Sequence, residues 1–255
     1  MDWHIIVGGL IVGLLVGLTG VGGSSLMLPI LVLFFRVPAL IAVGTDLAYS
    51  VPTKILGAII HRRQETVNPR LVLLLCLGGI PGAIAGVLSL SFVKSHVSMD
   101  ELNTILKHIV GVLLLVIAAT IFLVQFFPRK DTEQPVWLRP KAPLIMLIGG
   151  LVGFAVSITS IGAGSITLTL LALILPRMRL QLLVGSDVAF AAFIVPIAAA
   201  GHLTLGSINL PLTLNLLLGS LPGVFIGSRL CGILPTKYLR PAMAGVMALA
   251  ASRLF

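Results

Sequence analysis

The stretch TGVGGSS, from Thr19 to Ser25, interrupts a long apolar segment, and a similar stretch, TSIGAGS from Thr159 to Ser165, interrupts another about 140 residues later. Glycine and serine at this density do not continue an apolar membrane helix well. Two apolar segments broken at corresponding points of two halves are typical of a binding site that lies between inverted repeats. These stretches, called the first and second breaks below, therefore decide the fold.

The composition is that of an integral membrane protein. Of the 255 residues, 58% are hydrophobic and 10% are charged, and the mean hydropathy is +1.15. These values exclude a soluble domain. The net charge of +9 comes from Lys and Arg in short loops, which indicates membrane topology and anionic lipids rather than nucleic acid. No Lys or Arg precedes the first apolar run, so we expect residues 1–20 to belong to the fold and not to a signal peptide.

The two breaks are part of a longer internal repeat. At an offset of 141 residues, VGTDLA from Val43 matches VGSDVA from Val184, and Asp46 falls on Asp187. The same register pairs His61 with His202, Asn68 with Asn209, and Pro81-Gly82 with Pro222-Gly223. We therefore predict one transmembrane domain over residues 1–255, with repeat 1 at about 1–127, a polar linker at 128–143 and repeat 2 at about 144–255.

Each half is predicted to contain one broken segment followed by three membrane spans. The eight hydrophobic segments are expected at about 5–35, 39–60, 69–92 and 103–127, and at about 144–175, 180–201, 208–231 and 236–255. The pieces on either side of a break are each too short to cross a hydrocarbon core of ~30 Å. A broken segment must either cross once, tilted, or enter the membrane and return as a hairpin.

The distribution of Lys and Arg favours the hairpin. If the broken segments crossed fully, these residues would divide eight to eight between the two faces, Lys54 left aside. If both segments re-enter, Arg36, Lys94, Lys107 and Arg253 share one face and the other twelve lie opposite. The positive-inside rule favours the second arrangement. The predicted fold is an all-α polytopic membrane protein of two inverted-topology repeats. Each repeat is a glycine-broken re-entrant helical hairpin plus three transmembrane helices, with both termini outside a cell (inner) membrane.

The breaks are also predicted to form the binding site. Half-helices that begin near Ser25 and Ser165 would present free backbone amides and the positive end of their dipoles, so a small anion is the natural ligand. The predicted substrate-binding residues of the two breaks are Thr19, Gly22, Gly23, Ser24, Ser25, Thr159, Ser160, Gly162, Gly164 and Ser165. Hydroxyl donors, with Thr167 as a further candidate, would complete the shell around the anion. The alternative is that the small residues serve tight helix packing and the hydroxyls bond to their own helices.

Three charged residues lie at membrane depth. Lys54 has no counterpart in the second half, where Val195 stands, and it is a candidate fixed positive charge for the anion or one member of a structural ion pair. Asp46 is eight residues away on the same predicted helix, ~12 Å along its axis, so direct pairing with Lys54 is not expected. Asp46 and Asp187 are predicted either to take up protons during transport or to be structural charges that cap a kinked helix.

The matched motifs resemble one known family. GLTGVGGSSLMLPIL, AVGTDLAYSVPTKILGAIIHRRQETVN and PGAIAG in the first half, with VGSDVAF and AGHLTLGSINLPLTLNLLLGSLPGVFIGSRL in the second, are similar to the TauE/SafE sulfite exporter family of bacterial membrane permeases. The resemblance implies transport, as export, of small sulfur-containing anions such as sulfite or organosulfonates. Ala163 stands where the first break has Gly23, so the two breaks are not chemically equal.

Other classes of function fit the sequence less well. The chain has no metalloprotease, Walker or dinucleotide motif, and Ser165 with His202 does not match an intramembrane serine protease, so we expect no enzyme. Cys76 and Cys231 are isolated, and no metal site or cofactor is expected. An anion channel, or a permease for another small organic anion or zwitterion, stays as the alternative. The expected partners are a small anionic solute, the lipid bilayer and, as one option, a second copy in a homodimer.

Overall fold

The structure is a computed structural model that describes residues 3–19, 23–124, 141–230 and 245–254, and its regular structure over these residues is entirely helical. The helices are α1 (Trp3–Thr19), α2 (Ser24–Leu33), α3 (Ala39–Arg63), α4 (Pro69–His96), α5 (Met99–Val124), α6 (Ala142–Thr159), α7 (Ile166–Ile174), α8 (Leu180–Thr204) and α9 (Leu210–Leu230), followed by α10 at 245–252. The predicted span at 236–255 lies partly outside the described residues.

Five helices of the described residues are long and apolar enough to cross a membrane. They cover Pro69–His96, Met99–Thr120, Ala142–Thr159, Leu180–Thr204 and Leu210–Gly227. Large apolar side chains such as Leu88, Leu151 and Leu214 are more than half exposed, as expected of a surface that contacts lipid. The prediction of an all-α, multi-pass membrane protein is therefore confirmed.

The second helix break lies at the predicted glycine-rich stretch, whereas residues 20–22 of the first are outside the described part of the chain. Helix α6 ends where Ser160 adopts a left-handed conformation with φ of 59°. Gly162 and Gly164 follow with φ of 139° and 101°, so the backbone turns sharply before α7 begins. In the first half α2 begins directly after Gly23.

The two largest departures from the predicted helix boundaries are about four residues each. Helix α5 begins at Met99 rather than near 103, because Ser98 and Glu101 form a capping box. The Ser98 amide donates to Glu101 Oε2 at 3.1 Å and the Glu101 amide donates to Ser98 Oγ at 3.3 Å. Helix α4 continues to His96 rather than ending near 92, since its last turn is polar but still helical. Hydrophobicity alone therefore underestimates both helices.

Glycines hold two helix pairs in close contact. A methyl group on Gly82 of α4 would lie 2.1 Å from the carbonyl oxygen of Gly150 in α6, and one on Gly78 would lie 1.8 Å from that of Met146. Because residue numbers rise together along both helices, α4 and α6 run parallel. Helices α1 and α9 pack in the same way. Methyl groups on Gly219 and Gly223 of α9 would lie 2.0 and 2.3 Å from the carbonyl oxygens of Ile6 and Leu10.

Helices α3 and α8 form the antiparallel centre of the molecule. A methyl group on Gly44, near the start of α3, would lie 2.4 Å from the carbonyl oxygen of Ser207, just beyond α8. One on Gly185, near the start of α8, would lie 2.2 Å from that of Thr66, just beyond α3. Each half thus docks the loop that follows its central helix onto the central helix of the other half.

The ends of each broken segment lie close together. Lys141, which precedes α6, donates a hydrogen bond to the carbonyl of Ile174 at the end of α7. In the first half a methyl group on Gly8 of α1 would lie 2.9 Å from the ring of Phe35, which follows α2. In each segment the chain therefore leaves the second helix near the place where it entered the first.

Candidate functional site

The two breaks meet through serine hydroxyls. The hydroxyl of Ser160, at the end of α6, lies 3.3 Å from that of Ser24, at the start of α2. Ser24 Oγ in turn lies 3.4 Å from Ser50 Oγ of α3. All three residues are buried. Elements 136 residues apart in sequence thus share one polar cluster.

Asp46 belongs to this cluster. Its Oδ2 accepts a hydrogen bond from Ser160 at 2.6 Å, and the hydroxyl of Ser24 lies close enough to donate to the same carboxylate. The side chain is fully buried. A carboxylate of α3 therefore contacts both breaks at once.

Asp187 occupies the matching place in α8 but has different neighbours. The Thr167 hydroxyl and the Gly164 backbone amide approach this carboxylate, and both come from the second broken segment. The side chain is 2% exposed. The two aspartates thus share a register in the repeat without sharing a chemical environment.

Each aspartate keeps one oxygen atom free of hydrogen bonds to the described residues. These atoms are Asp46 Oδ1 and Asp187 Oδ1, and both are buried. A buried polar atom without a partner is costly and rare. The same feature thus occurs at equivalent positions of the two halves.

Lys54 lies near both carboxylates. Its positive charge acts on Asp46 and on Asp187, while its side chain is only half buried. Among the described residues, no salt bridge within 4.0 Å is formed by this ammonium group. Its charge therefore acts on carboxylates of both halves without a direct ion pair among the described residues.

The remaining predicted residues are placed unequally. Ser25 and Ser165 are buried at the starts of α2 and α7, Gly23 directly precedes α2, and Gly162 and Gly164 form the turn described above. Gly22 and the side chain of Thr19 lie outside the described residues.

Thr159 differs from the other predicted donors. Its hydroxyl donates to the carbonyl of Ala155 at 2.7 Å, within its own helix, and accepts from the amide of Ile161 at 3.2 Å. We therefore do not propose Thr159 as a residue that binds the anion.

Ser50 is a member of the cluster that the sequence analysis missed. It lies four residues after Asp46 on α3, and residues at this spacing share one face of a helix. A search for polar residues at this spacing from Asp46 would have found it.

Hydrogen bonds from the two docked loops support the helix turns next to the aspartates. The amide of Asn68 donates to Ser186 Oγ at 2.9 Å, and the amide of Asn209 donates to Thr45 Oγ1 at 3.2 Å. Ser186 and Thr45 directly precede Asp187 and Asp46 in sequence. The docked loops therefore fix the helix turns that carry the two carboxylates.

Histidines hold these loops in place. His61 Nδ1 lies 2.8 Å from Thr66 Oγ1, and His202 Nδ1 lies 2.8 Å from Ser207 Oγ. His202 also contacts the carbonyl of Ser157 through Nε2 at 2.8 Å. A carbonyl only accepts, so Nε2 donates to Ser157. His202 thereby joins the end of α6 to the loop that docks on α3.

Comparisons with known proteins indicate the family to which the chain belongs. A family model described as "Sulfite exporter TauE/SafE" matches residues 5–254. The chain is 41% identical over 252 residues to the probable membrane transporter protein YjnA of Bacillus subtilis (strain 168), covering 97% of each chain. It is 25% identical over 249 residues to the probable membrane transporter protein YdhB of the same strain, covering 94% of this chain and 96% of that protein. No solved structure matches the chain significantly. The chain is a membrane transporter, not an enzyme, and it belongs to the TauE/SafE sulfite exporter family.

Proposed function

We propose that this protein is a secondary transporter for small sulfur-containing anions such as sulfite or organosulfonates, and that it works as an exporter. The observation that carries the proposal is the meeting of the two breaks around buried hydroxyls, where Ser24 and Ser160 lie 3.3 Å apart. Hydroxyl donors and the positive end of α2 converge there, and such groups stabilise oxyanions. The family and the relatives named above support a permease, and the family description supports a sulfur oxyanion.

The charges around the site favour coupling to protons. Asp46 and Asp187 together carry two negative charges when ionised, while Lys54 supplies one positive charge. An anion that approaches this set meets a net negative charge. Protonation of one carboxylate removes that excess, so anion and proton are proposed to move together. Export then requires that the outward gradient of the anion exceed the inward gradient of protons.

The close contacts of glycines between helices support an inverted-repeat topology for the single domain proposed from the sequence. Gly79 of α4 lies next to Phe190 of α8, and Val87 of α4 lies next to Gly201 of α8. Residue numbers rise together along both helices, so α4 and α8 run parallel. Helix α6 is also parallel to α4, so α6 and α8 run in the same direction. Because α7 alone joins α6 to α8, these two helices can run in the same direction only if α7 returns toward the side of the membrane from which α6 entered. This is the proposed re-entrant hairpin.

The first half shows the corresponding arrangement. Helix α1 is parallel to α9. Thr45 of α3 bonds to Asn209, directly before α9, and Tyr49 of α3 lies near Ser220 of α9, so α3 and α9 also run parallel. Helices α1 and α3 then run in one direction, while α6 and α8 run in the other. This supports repeats of opposite orientation around one site.

The basic residues suggest the orientation in the membrane. Lys141 contacts the end of α7, directly before Arg177 and Arg179, and the loop after Arg63 packs on the start of α8. We propose that this basic end faces the cytoplasm of a cell (inner) membrane, with both termini outside. A homodimer stays a prediction.

A ligand screen tests the proposed substrate class. Purified protein is heated at fixed ionic strength with sulfite, sulfate, methanesulfonate, acetate, taurine or dimethyl sulfone, the last being a neutral analogue of methanesulfonate. We expect sulfite or methanesulfonate to raise the melting temperature and dimethyl sulfone to leave it unchanged, because a ligand at ~100 times its Kd stabilises by ~2.7 kcal/mol.

Two results of the screen would change the proposal. Stabilisation by taurine or acetate alone would keep a permease and replace sulfur anions with a zwitterion or a carboxylate as the substrate class. Equal stabilisation by dimethyl sulfone would contradict an anion site.

A further inference from the structure

One carboxylate draws hydroxyl groups from both breaks. Ser160, from the second half, donates to Asp46 at 2.6 Å, and Ser24, from the first half, lies within reach of the same group. Asp187 differs, since Thr167 and Gly164 both come from the second half. Of the two aspartates, Asp46 is the one that the described residues bond to the place where the halves meet.

A hydroxyl group has a single proton to donate. While Asp46 is ionised, the Ser160 proton is directed at the carboxylate and is not available to a bound anion. The negative charge of Asp46 also repels that anion. Once Asp46 is protonated, the repulsion ends and Ser160 can donate elsewhere. A second acceptor, Ser24 Oγ, already lies 3.3 Å away, so the hydroxyl has room to redirect its hydrogen bond.

We infer that Asp46, rather than Asp187, is the carboxylate whose protonation prepares the site for the anion, and that Ser160 is the positioning residue that links the two events. The inference rests on the proposed anion transport. One proton from the aqueous side to which the site is open adds to the Asp46 carboxylate, and it travels with one anion.

The other ionisable groups near Asp46 do not take over this role. Lys54 and Tyr49 lie on the same helix, α3, and the described residues that reach Asp46 from α2 and from the end of α6 are the serines Ser24 and Ser160. Asp187 of α8 has one described neighbour in common with Asp46, namely Lys54, whose positive charge acts on both carboxylates. The free atom Asp46 Oδ1 provides a place for the proton.

The first test measures the affinity for methanesulfonate at several pH values by thermal-shift titration. This anion keeps one negative charge at all of them, so any pH dependence belongs to the protein. In the wild type we expect Kd to rise up to tenfold for each pH unit above the transition, as one linked proton requires. Asp46→Asn should abolish the dependence, because an amide does not titrate. Asp187→Asn should keep it.

The second test uses Ser160→Gly. Glycine tolerates the left-handed conformation of Ser160, and Gly20 stands at the corresponding place in the first break. Without the donor that stabilises the ionised carboxylate, Asp46 holds its proton at higher pH. The transition in Kd should therefore move to more alkaline pH by about one unit. The control Thr167→Val removes the hydroxyl beside Asp187 and should leave the transition where it is.

The outcomes separate this inference from the proposed function. A wild type that binds methanesulfonate without pH dependence, or a Ser160→Gly transition at the wild-type pH, would overturn the role of Asp46 and leave the permease intact. Loss of the dependence in Asp187→Asn, with its retention in Asp46→Asn, would reverse the assignment. A wild type that binds no sulfur anion at any pH would overturn both proposals.

Discussion

Buried charge is the feature of single residues that most needs an explanation. A carboxylate at membrane depth costs ~2.5 kcal/mol or more on insertion scales, and this chain places Asp46 and Asp187 there, fully or almost fully buried. Each keeps an oxygen without a partner among the described residues. Simple helix packing would not need such groups. They fit a site that exchanges protons or ligands with water.

Lys54 provides a prediction at this scale. Lys54→Met keeps the length and the apolar stem of the side chain but removes its charge, which we propose attracts the anion. The Kd for the best sulfur anion of the screen should rise by about tenfold or more, equivalent to ~1.4 kcal/mol. The control Arg63→Met removes an exposed charge outside the site and should leave Kd within about twofold. An unchanged Kd in Lys54→Met would assign the lysine to structure alone.

The sequence predicts the members of the site better than their contacts. Asp46, Asp187 and Lys54 stand out because charges are rare in apolar helices. The hydrogen bond between Ser160 and Asp46 joins residues 114 apart in sequence, and no local sequence pattern predicts it. Thr159 shows that local bonds are also difficult to predict. A threonine near a helix end can bond to its own backbone or face a ligand, and the sequence is the same in both cases.

At the scale of helices, tight packing depends on glycines outside the breaks. Without a hydrophobic force between helices in lipid, close contact of backbones supplies the attraction. The pairs Gly78 with Gly82 and Gly219 with Gly223 lie at equivalent positions of the repeat and bring α4 onto α6 and α9 onto α1. The small-residue packing considered for the breaks thus occurs at these helix interfaces.

Gly82→Ala tests this packing. Its methyl group would lie 2.1 Å from the carbonyl oxygen of Gly150, so α4 and α6 must separate. We expect the free energy of unfolding to fall by about 2 kcal/mol, seen as a lower melting temperature in detergent. Gly150→Ala is the matched control, since its methyl group would approach no atom outside its own helix closer than 3.5 Å. Equal stability of the two variants would contradict the described interface.

The docked loops give a second prediction for elements. His202 is fully buried and joins Ser157 to Ser207, whereas His61 is half buried and contacts Thr66. His202→Ala leaves a buried carbonyl without its partner and opens a cavity, so it should lower the free energy of unfolding by about 3 kcal/mol. His61→Ala should lower it by about 1 kcal/mol. Thermal melts of both variants measure the difference, and a larger loss for His61→Ala would refute this account of the loops.

Helix positions follow from the sequence more readily than helix partners. Apolar runs and glycine clusters predict both breaks and most helix bodies, because these depend on local chemistry. Hydrophobicity predicts the start of α5 near 103, although Ser98 and Glu101 carry the sequence signal of a capping box. The pairing of α1 with α9 and of α4 with α6 depends on contacts between the two halves, and one sequence does not reveal these.

For the whole molecule, the proposed topology places Arg36 and Arg177 on opposite faces of the membrane. Both side chains are exposed. If the broken segments crossed fully instead, these residues would share a face. In a background with Cys76→Ala and Cys231→Ala, single cysteines at the two positions are labelled in intact cells with an impermeant maleimide. We expect Arg36→Cys to react from outside and Arg177→Cys only after permeabilisation.

The labelling has an internal control. Arg63→Cys lies opposite Arg36 in either topology, because α3 crosses between them, so it should react only after permeabilisation. Labelling of Arg36→Cys and Arg177→Cys from the same side would contradict the re-entrant hairpins.

Flux into proteoliposomes shows whether this protein is a proton-coupled anion transporter with one site between the two breaks. Labelled methanesulfonate is supplied at equal concentration on both sides, and the outside is made more acidic than the inside. We expect the anion to accumulate inside, because protons that move down their gradient carry it inward, and a protonophore should abolish the accumulation. Flux that only equalises the anion, whatever the pH gradient, would contradict coupling and identify a channel.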